Sequence, residues 1–468
     1  MTVSTMIRLL RLRIALAALA LSPLGLAGQI ATASGSLPED YLPGLKTILA
    51  EALNLGSSML NQRIILAQAE AAKIQAIAGQ YPRLTGNAGY GINGVSSASA
   101  NSSSSSSSSG FNYGVGIAQP LFQEGDVKGR ADIGKLGEQI AQKNYGETYR
   151  TLLGTLRWQY MQLVIKKASL GQARVQLRMQ EKELEVKKDS IARGVSANDE
   201  LPAAESVVLA VSLAADRLEQ DYENSKRLFA RLAGQVVIAD TTIPDALPEP
   251  RLPEGTPAAL LHAFLQGGVT ETPTAQTYAL YLRQSDISSR MAKYANYPKI
   301  GVSAGYNTGA TTSSDSAGNV SSSFVASRSA SIGMSFTLFD AGAARGGKLA
   351  AASTKRSFER QLQTYIETTR DEAGNRLKQV SLEYRAMQLS ARNLSSAASA
   401  LSVDQSYLAS GQRSELDVER SKAAYQVGEI AAFNARAAFL QQWSEFVSLV
   451  GADPMMNQLP PSYLSHGK

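Results

Sequence analysis

The chain is written twice. "YPRLTGNAGYG" from Tyr81 recurs as "YPKIGVSAGYN" from Tyr297, an offset of 216 residues. "LFQEGDVKG" from Leu121 recurs as "LFDAGAARG" from Leu338 at an offset of 217. "GVSANDEL" from Gly194 aligns with "GQRSELDV" from Gly411, and "LFARLAG" ending at Gly234 answers "EFVSLVG" ending at Gly451, both at 217. Four landmarks in one register make each half a structural unit, so whatever one half builds the other builds as well. The units span 34–237 and 257–452, with a linker at 238–256 and a tail at 453–468.

Inside each unit the hydrophobic period changes. Ala-, Leu-, Gln- and Glu-rich segments predict helices from Leu45 to Gln80, over 126–192 and over 202–232, with counterparts at 257–295, 343–409 and 415–449. Pro82 and Pro298 end the first helix of each half, and hairpins follow at about 83–122 and 299–339. Their strands alternate large apolar with small polar residues. Tyr113, Val115 and Ile117 share one face after the first hairpin turn, and Ile332, Met334 and Phe336 share one after the second. A half-buried soluble sheet gives the same alternation. In a membrane barrel the apolar face meets lipid and the small face lines a lumen. Four strands cannot close alone, because open edges in lipid leave backbone groups unsatisfied, so a barrel requires several copies.

Helix lengths complete the plan. The stretch from Gly125 to Gly194 is about 100 Å of helix at 1.5 Å per residue, and the two shorter helices end to end match it. The chain thus climbs a short helix, crosses the hairpin, descends a long helix, turns at Gly194 and climbs halfway back. The second half does the same about Gly411.

Composition narrows the setting. With 44 % hydrophobic and 18 % charged residues, disorder and a multi-span helical membrane protein are both disfavoured. Arg8, Arg11 and Arg13, the apolar run Ile14–Ala27 and Ala31-Thr32-Ala33 read as a cleaved secretory signal over 1–33. Cleavage removes three arginines and no acids, lowering the formal charge from +6 to +3, so no nucleic-acid partner is implied. The absence of cysteine rules out disulfides, a thiol nucleophile, thiolate metal ligands and an N-terminal lipid anchor.

The duplicated order of "YPRL" and "YPKI" before the strands, "QPLFQEG" and "FTLFDAG" behind them, and the turns "GVSANDELPAAES" and "GQRSELDVERSKAAYQ" resembles the TolC family of outer-membrane channels. The resemblance covers nearly all of the mature chain. It implies a homotrimer whose 12-stranded transmembrane β-barrel, four strands per protomer, continues into a long periplasmic α-helical barrel, with 238–256 at its equator. It further implies residence in the outer membrane of a Gram-negative bacterium, and docking to a periplasmic adaptor (membrane fusion) protein tied to an inner-membrane ABC or proton-driven transporter. Tyr113, Val115, Ile117, Ile332, Met334 and Phe336 would then face outer-membrane lipid.

By the same resemblance the helix turns form a periplasmic gate. Gly194, Val195, Gly411 and Gln412 would make the adaptor-contacting tips. Arg413, two residues after the second turn glycine, would pair with Glu200, six after the first. Asp417 matches a ring of carboxylates at the constriction, but Arg420 stands where a second acid is expected, and Tyr407 lies one position from the family's gate tyrosine. Plain structure also accounts for several of these. Ser414-x-x-Asp417 is a capping box, and Asp199 and Glu200 suit a helix first turn before Pro202.

No catalytic constellation emerges, and neither an enzyme activity nor a cofactor or metal is expected. "GYGING" fits G-x-G-x-x-G, but serines follow where a helix is required. "GAARGGKL" from Gly342 lacks the Ser or Thr that would hold Mg²⁺, and its first-half copy lacks the Gly-Lys. His262 and His466 are far apart, and His262, in an apolar stretch, reads as a packing residue. The expected function is the passive exit duct of a tripartite export system, for small-molecule efflux or type I protein secretion. The alternatives are an open porin-like channel and a structural or adhesive coiled coil. The eight serines Ser102–Ser109 read as part of a mobile external loop over Val95–Gly110, matched by "GATTSSDSAGNVSSSFVAS" from Gly309.

Overall fold

The computed structural model describes residues 37–99, 102–123, 125–195, 197–252, 255–315 and 317–464. The expected signal over 1–33, the end of the tail and His466 lie outside them. In the first repeat, helices α1 (Pro43–Leu55) and α2 (Ser57–Ala78) lead into strands β1 (Arg83–Ser99) and β2 (Ser102–Phe122). The long helix α3 (Asp126–Ala192) and the shorter α4 (Leu201–Ala233) follow. The second repeat runs α5 (Thr256–Ala263), α6 (Pro273–Lys293), β3 (Lys299–Ser314), β4 (Val320–Ser335), α7 (Ala343–Ala409) and α8 (Glu415–Leu449). Helices α3 and α7 have 67 residues each, about 100 Å apiece. No described helix is long and apolar enough to cross a membrane.

The duplication extends to a feature that the hydrophobic pattern hides. The sequence predicts one helix from Leu45 to Gln80, yet the chain breaks at Gly56, whose backbone is extended (φ −58°, ψ 131°). A Cβ there would lie 2.5 Å from the Ala52 carbonyl oxygen and 3.2 Å from Leu152, so the break is sealed by close packing that only glycine allows. The second repeat breaks at the equivalent place. A π-turn over Phe264–Gly268 precedes Thr272, which caps α6 by accepting from the Ala275 amide, with Pro273 as the first helical residue. His262 is exposed and lies 3.2 Å from Gln266, a correction to its reading as a packing residue. Leu260 and Phe264 take the buried positions of that turn instead.

The four strands form one antiparallel sheet in the order β1-β2-β3-β4. The serine run is not a loop. Ser102–Ser109 pair with Ile92–Ser99 of β1, and Ser107–Ser109 also pair with Thr312–Ser314 of β3. No proline interrupts the run, so the ladder continues, and hydroxyls bond across it, Ser107 to Ser314 and Ser313 to Ser321 at 2.9 Å each. The second hairpin likewise narrows between its strands, where the Asp315 carboxylate accepts from the amides of Ala317 and Asn319. Phe336 falls one residue beyond β4, a correction to its place in the strand.

Helix α3 is the axis of packing. It lies against α2 and α4 of its own repeat and against α6 and α8 of the other. The core sits at its middle, where Tyr149, Tyr160, Phe229, Phe439, Trp443 and Phe446 are fully enclosed. At its centre Arg157 bridges Glu39 and Asp453, with Nε 2.9 Å from Glu39 Oε2 and Nη2 3.0 Å from Asp453 Oδ1. All three are buried, and they tie the chain's start, its first long helix and its end together. Burial, partly offset by Arg157, raises the Glu39 carboxyl above its usual range.

Candidate functional site

Both long helices end in the same turn. Gly194 (φ +73°) follows the last turn of α3, with the Val195 amide donating to the Ser190 carbonyl and the Gly194 amide to Ile191. Gly411 (φ +73°) repeats the geometry, with Gln412 donating to Tyr407 and Gly411 to Leu408. These are Schellman ends, which need a left-handed residue and therefore select glycine. The four tip residues Gly194, Val195, Gly411 and Gln412 are all exposed, Val195 at 78 %.

The charges around the turns pair differently from the expectation. Glu200 engages Lys187 of α3, and Lys188 meets Glu205 of α4 at 3.2 Å. Arg413 instead contacts Asp404 of α7, 3.5 Å away, and the same carboxylate accepts from the Ser421 hydroxyl of α8. Within one protomer, Glu200 and Arg413 therefore do not meet. Each holds its own hairpin closed, because the antiparallel neighbour is nearer than the other repeat's tip.

Asp417 caps α8. Its amide donates to Ser414 Oγ at 3.2 Å, and Ser414 Oγ donates back to its carboxylate at 2.8 Å. Donation to the carboxylate from the Ser414 hydroxyl and, at 3.2 Å, from the Ser414 amide, then the nearby Arg413 and Arg420, hold the carboxyl below the usual aspartate range. Arg420, standing where a second acid is expected, is 2.9 Å from Glu183 of α3 and 3.9 Å from Asp417. Near the turns, among the described residues, Arg420–Glu183 is the ion pair that crosses from one repeat to the other. Glu183, Lys187 and Asp404 escaped the sequence reading. Glu183 was findable by level, since it lies eleven residues before Gly194 and Arg420 nine after Gly411.

At the other end of the molecule, Tyr113, Val115, Ile117, Ile332, Met334 and Phe336 are all exposed in the protomer. Register sets Ile117 beside Leu84 and Ala304, and Ile332 beside Val302, so the apolar residues form rows across the sheet. "GYGING" lies within β1, and Gly342 caps α7 at a strand-to-helix junction.

A duplicated helical hairpin array carrying four strands with one apolar face defines a channel-forming outer-membrane protein of the TolC-like class. The chain belongs to the outer membrane efflux protein family, whose pattern matches residues 48–235 and 271–452, once in each repeat. Its fold is similar to the Campylobacter jejuni CmeC outer membrane channel, at 13 % identity over 93 % of this chain and 90 % of that one (TM-score 0.65). It is also similar to the open-state Neisseria gonorrhoeae MtrE outer membrane channel, at 17 % identity over 87 % and 89 % (TM-score 0.62). The Vibrio cholerae outer membrane protein VceC aligns over 90 % of this chain and all of its own, at 14 % identity (TM-score 0.61). No curated protein sequence matches the chain.

Proposed function

We propose that three copies assemble into one outer-membrane exit duct with its helical part in the periplasm, where a periplasmic adaptor links it to an inner-membrane ABC or proton-driven transporter. The observation that carries this reading is the pair of unfinished surfaces on each protomer. Strands β1 and β4 are the two ends of the sheet's order, so each leaves one edge open, and edges in lipid demand partners. Helix α7 packs along α6 and α8, and in 67 residues it buries only Thr369, Ala373, Val380 and Met387. A second copy that pairs β1 with β4 would also cover α7 with α2 and α4.

The duct is passive and performs no chemistry on its cargo, which is delivered by the pump. Its control lies at the turns, where Arg420–Glu183 holds α8 against α3, while Lys187–Glu200 and Arg413–Asp404 keep each hairpin intact as it swings. Opening then parts the cross-repeat pair and leaves the hairpins whole. The test is fractionation and chemical crosslinking of the full chain in cells. Recovery with outer membranes as a trimer supports the reading, and a soluble monomer overturns it. Comparing drug susceptibility and secreted proteins between a deletion strain and its parent identifies the cargo class.

A further inference from the structure

The sheet's strands contain three charged residues, Arg83, Lys299 and Arg328, and no acid. Arg83 and Lys299 open their strands at the helix-side end, where a cation reaches water. Arg328 does not. Its β4 neighbours of the same parity are Phe324, Ala326, Ala330, Ile332 and Met334, which places it on the apolar face. Register puts it in a row with Tyr306, Val115 and Gly86. Its guanidinium lies over the Tyr306 ring, 5.9 Å from the centroid. Diagonal to it, paired with Ala326, the buried Thr308 hydroxyl has no hydrogen-bond partner.

A cation on the lipid face of a barrel is costly near mid-bilayer and cheap near a headgroup. The row Tyr90–Phe111–Ala310–Phe324 forms an aromatic girdle, and Ser109, Thr312 and Ser322 begin the hydroxyl rows beyond it. Arg328 is four residues from the girdle, about 9 Å of depth for strands tilted ~45°. Met334, toward the helical end, is six residues away, so the outer boundary is nearer. A second copy cannot supply the counter-charge. The strand that would close on β4 is another β1, which has no acid, and Asp315 is occupied by its own turn.

We infer that Arg328, stacked on Tyr306, is a docking point on the barrel exterior for the phosphate of an outer-leaflet glycolipid. Held over the Tyr306 ring, the guanidinium would present a charge-assisted fork to the phosphate oxygens of a headgroup settled against it, with the girdle rings flanking the acyl chains. The site goes beyond the duct function and rests on it only in taking the apolar face as the lipid face.

The test is native mass spectrometry of the full-length trimer in detergent, titrated separately with diphosphorylated lipid A, its dephosphorylated form and phosphatidylglycerol. Arg328→Gln is expected to lower retention of phosphorylated lipid A about tenfold, Arg328→Lys by less, with dephosphorylated lipid A unchanged. Equal retention by wild type and Arg328→Gln overturns the site. An Arg328-dependent loss confined to phosphatidylglycerol overturns its assignment to the outer-leaflet glycolipid. Both variants must run as trimers, and Arg328→Leu, which suits the apolar face, supplies a second folded variant for the comparison. Failure of trimers to form at all would instead count against the duct reading.

Discussion

Arg157 shows how much one side chain can hold. It satisfies two buried carboxylates from opposite ends of the chain, so its removal strands Glu39 and Asp453 without a counter-charge. Arg157→Ala is expected to destabilise the fold by about 3–5 kcal/mol, read as a lowered melting temperature of the purified protein in detergent. Glu39 adds a pH dependence. Its folded carboxyl binds a proton more tightly than the unfolded one, whose ordinary value is 4.5. Its contribution to stability is therefore full below that value and is lost as pH rises through the raised folded value. Glu39→Gln removes this dependence, so the gap between variant and wild type should widen in the variant's favour from acid toward neutral pH. A constant gap would refute the assignment. None of the three residues stood out in the sequence, because Glu39 and Asp453 lie 118 and 296 positions from Arg157.

At the scale of elements, the hairpin ends separate turn geometry from gate control. Exposed ion pairs contribute up to about 1 kcal/mol each, so three symmetric Arg420–Glu183 pairs would contribute up to about 3 kcal/mol to a closed tip. Arg420→Ser and Glu183→Ala are each expected to raise single-channel conductance in planar bilayers, and the double variant should add little to either. Glu200→Ala or Arg413→Ser, which loosen one hairpin, should do less. A larger effect from Glu200→Ala than from Arg420→Ser would place control in the hairpins. The serine strand makes a separate prediction. Amides of Ser105–Ser109 should exchange hydrogen slowly, as ladder members do, and free-loop rates would contradict their pairing with β1. Strand β2 has 21 residues, about 70 Å, against the ~9–11 that span a bilayer, so the hydroxyl-rich end projects beyond it as a collar.

For the whole molecule, the apolar residues left in water by one protomer are the ones an assembly must cover. Leu382, Leu389 and Val403 of α7 are exposed, as are Leu209 and Leu213 of α4 on the opposite flank. Leu389→Glu is expected to shift crosslinked trimer toward monomer without unfolding the core, which lies at the middle of α3. Retention of full trimer would show that α7 faces solvent in the assembly.

The element order, both hairpins, the equal long helices and the glycine turns were legible because each depends on neighbours in the chain. A 3.6- or 2-residue period and a left-handed glycine are local signals, and duplication read each of them twice. The break at Gly56 was not legible, since helical residues flank it and the reason is close packing against Ala52 and Leu152; the one at Thr272 carries a local signal, an N-cap threonine followed by proline at the first helical position. The serine run reads as a loop yet pairs as a strand for a related cause. Composition reports how poorly a segment packs, whereas strand pairing supplies its backbone bonds from elsewhere. The partners of Glu200, Arg413 and Arg420 were decided only by which helices lie side by side. By itself the sequence determined the order of the elements, the two equal long helices and the glycine turns that end them. Tertiary structure decided whom each charge meets, because ion pairing depends on distances of a few ångströms between residues hundreds of positions apart.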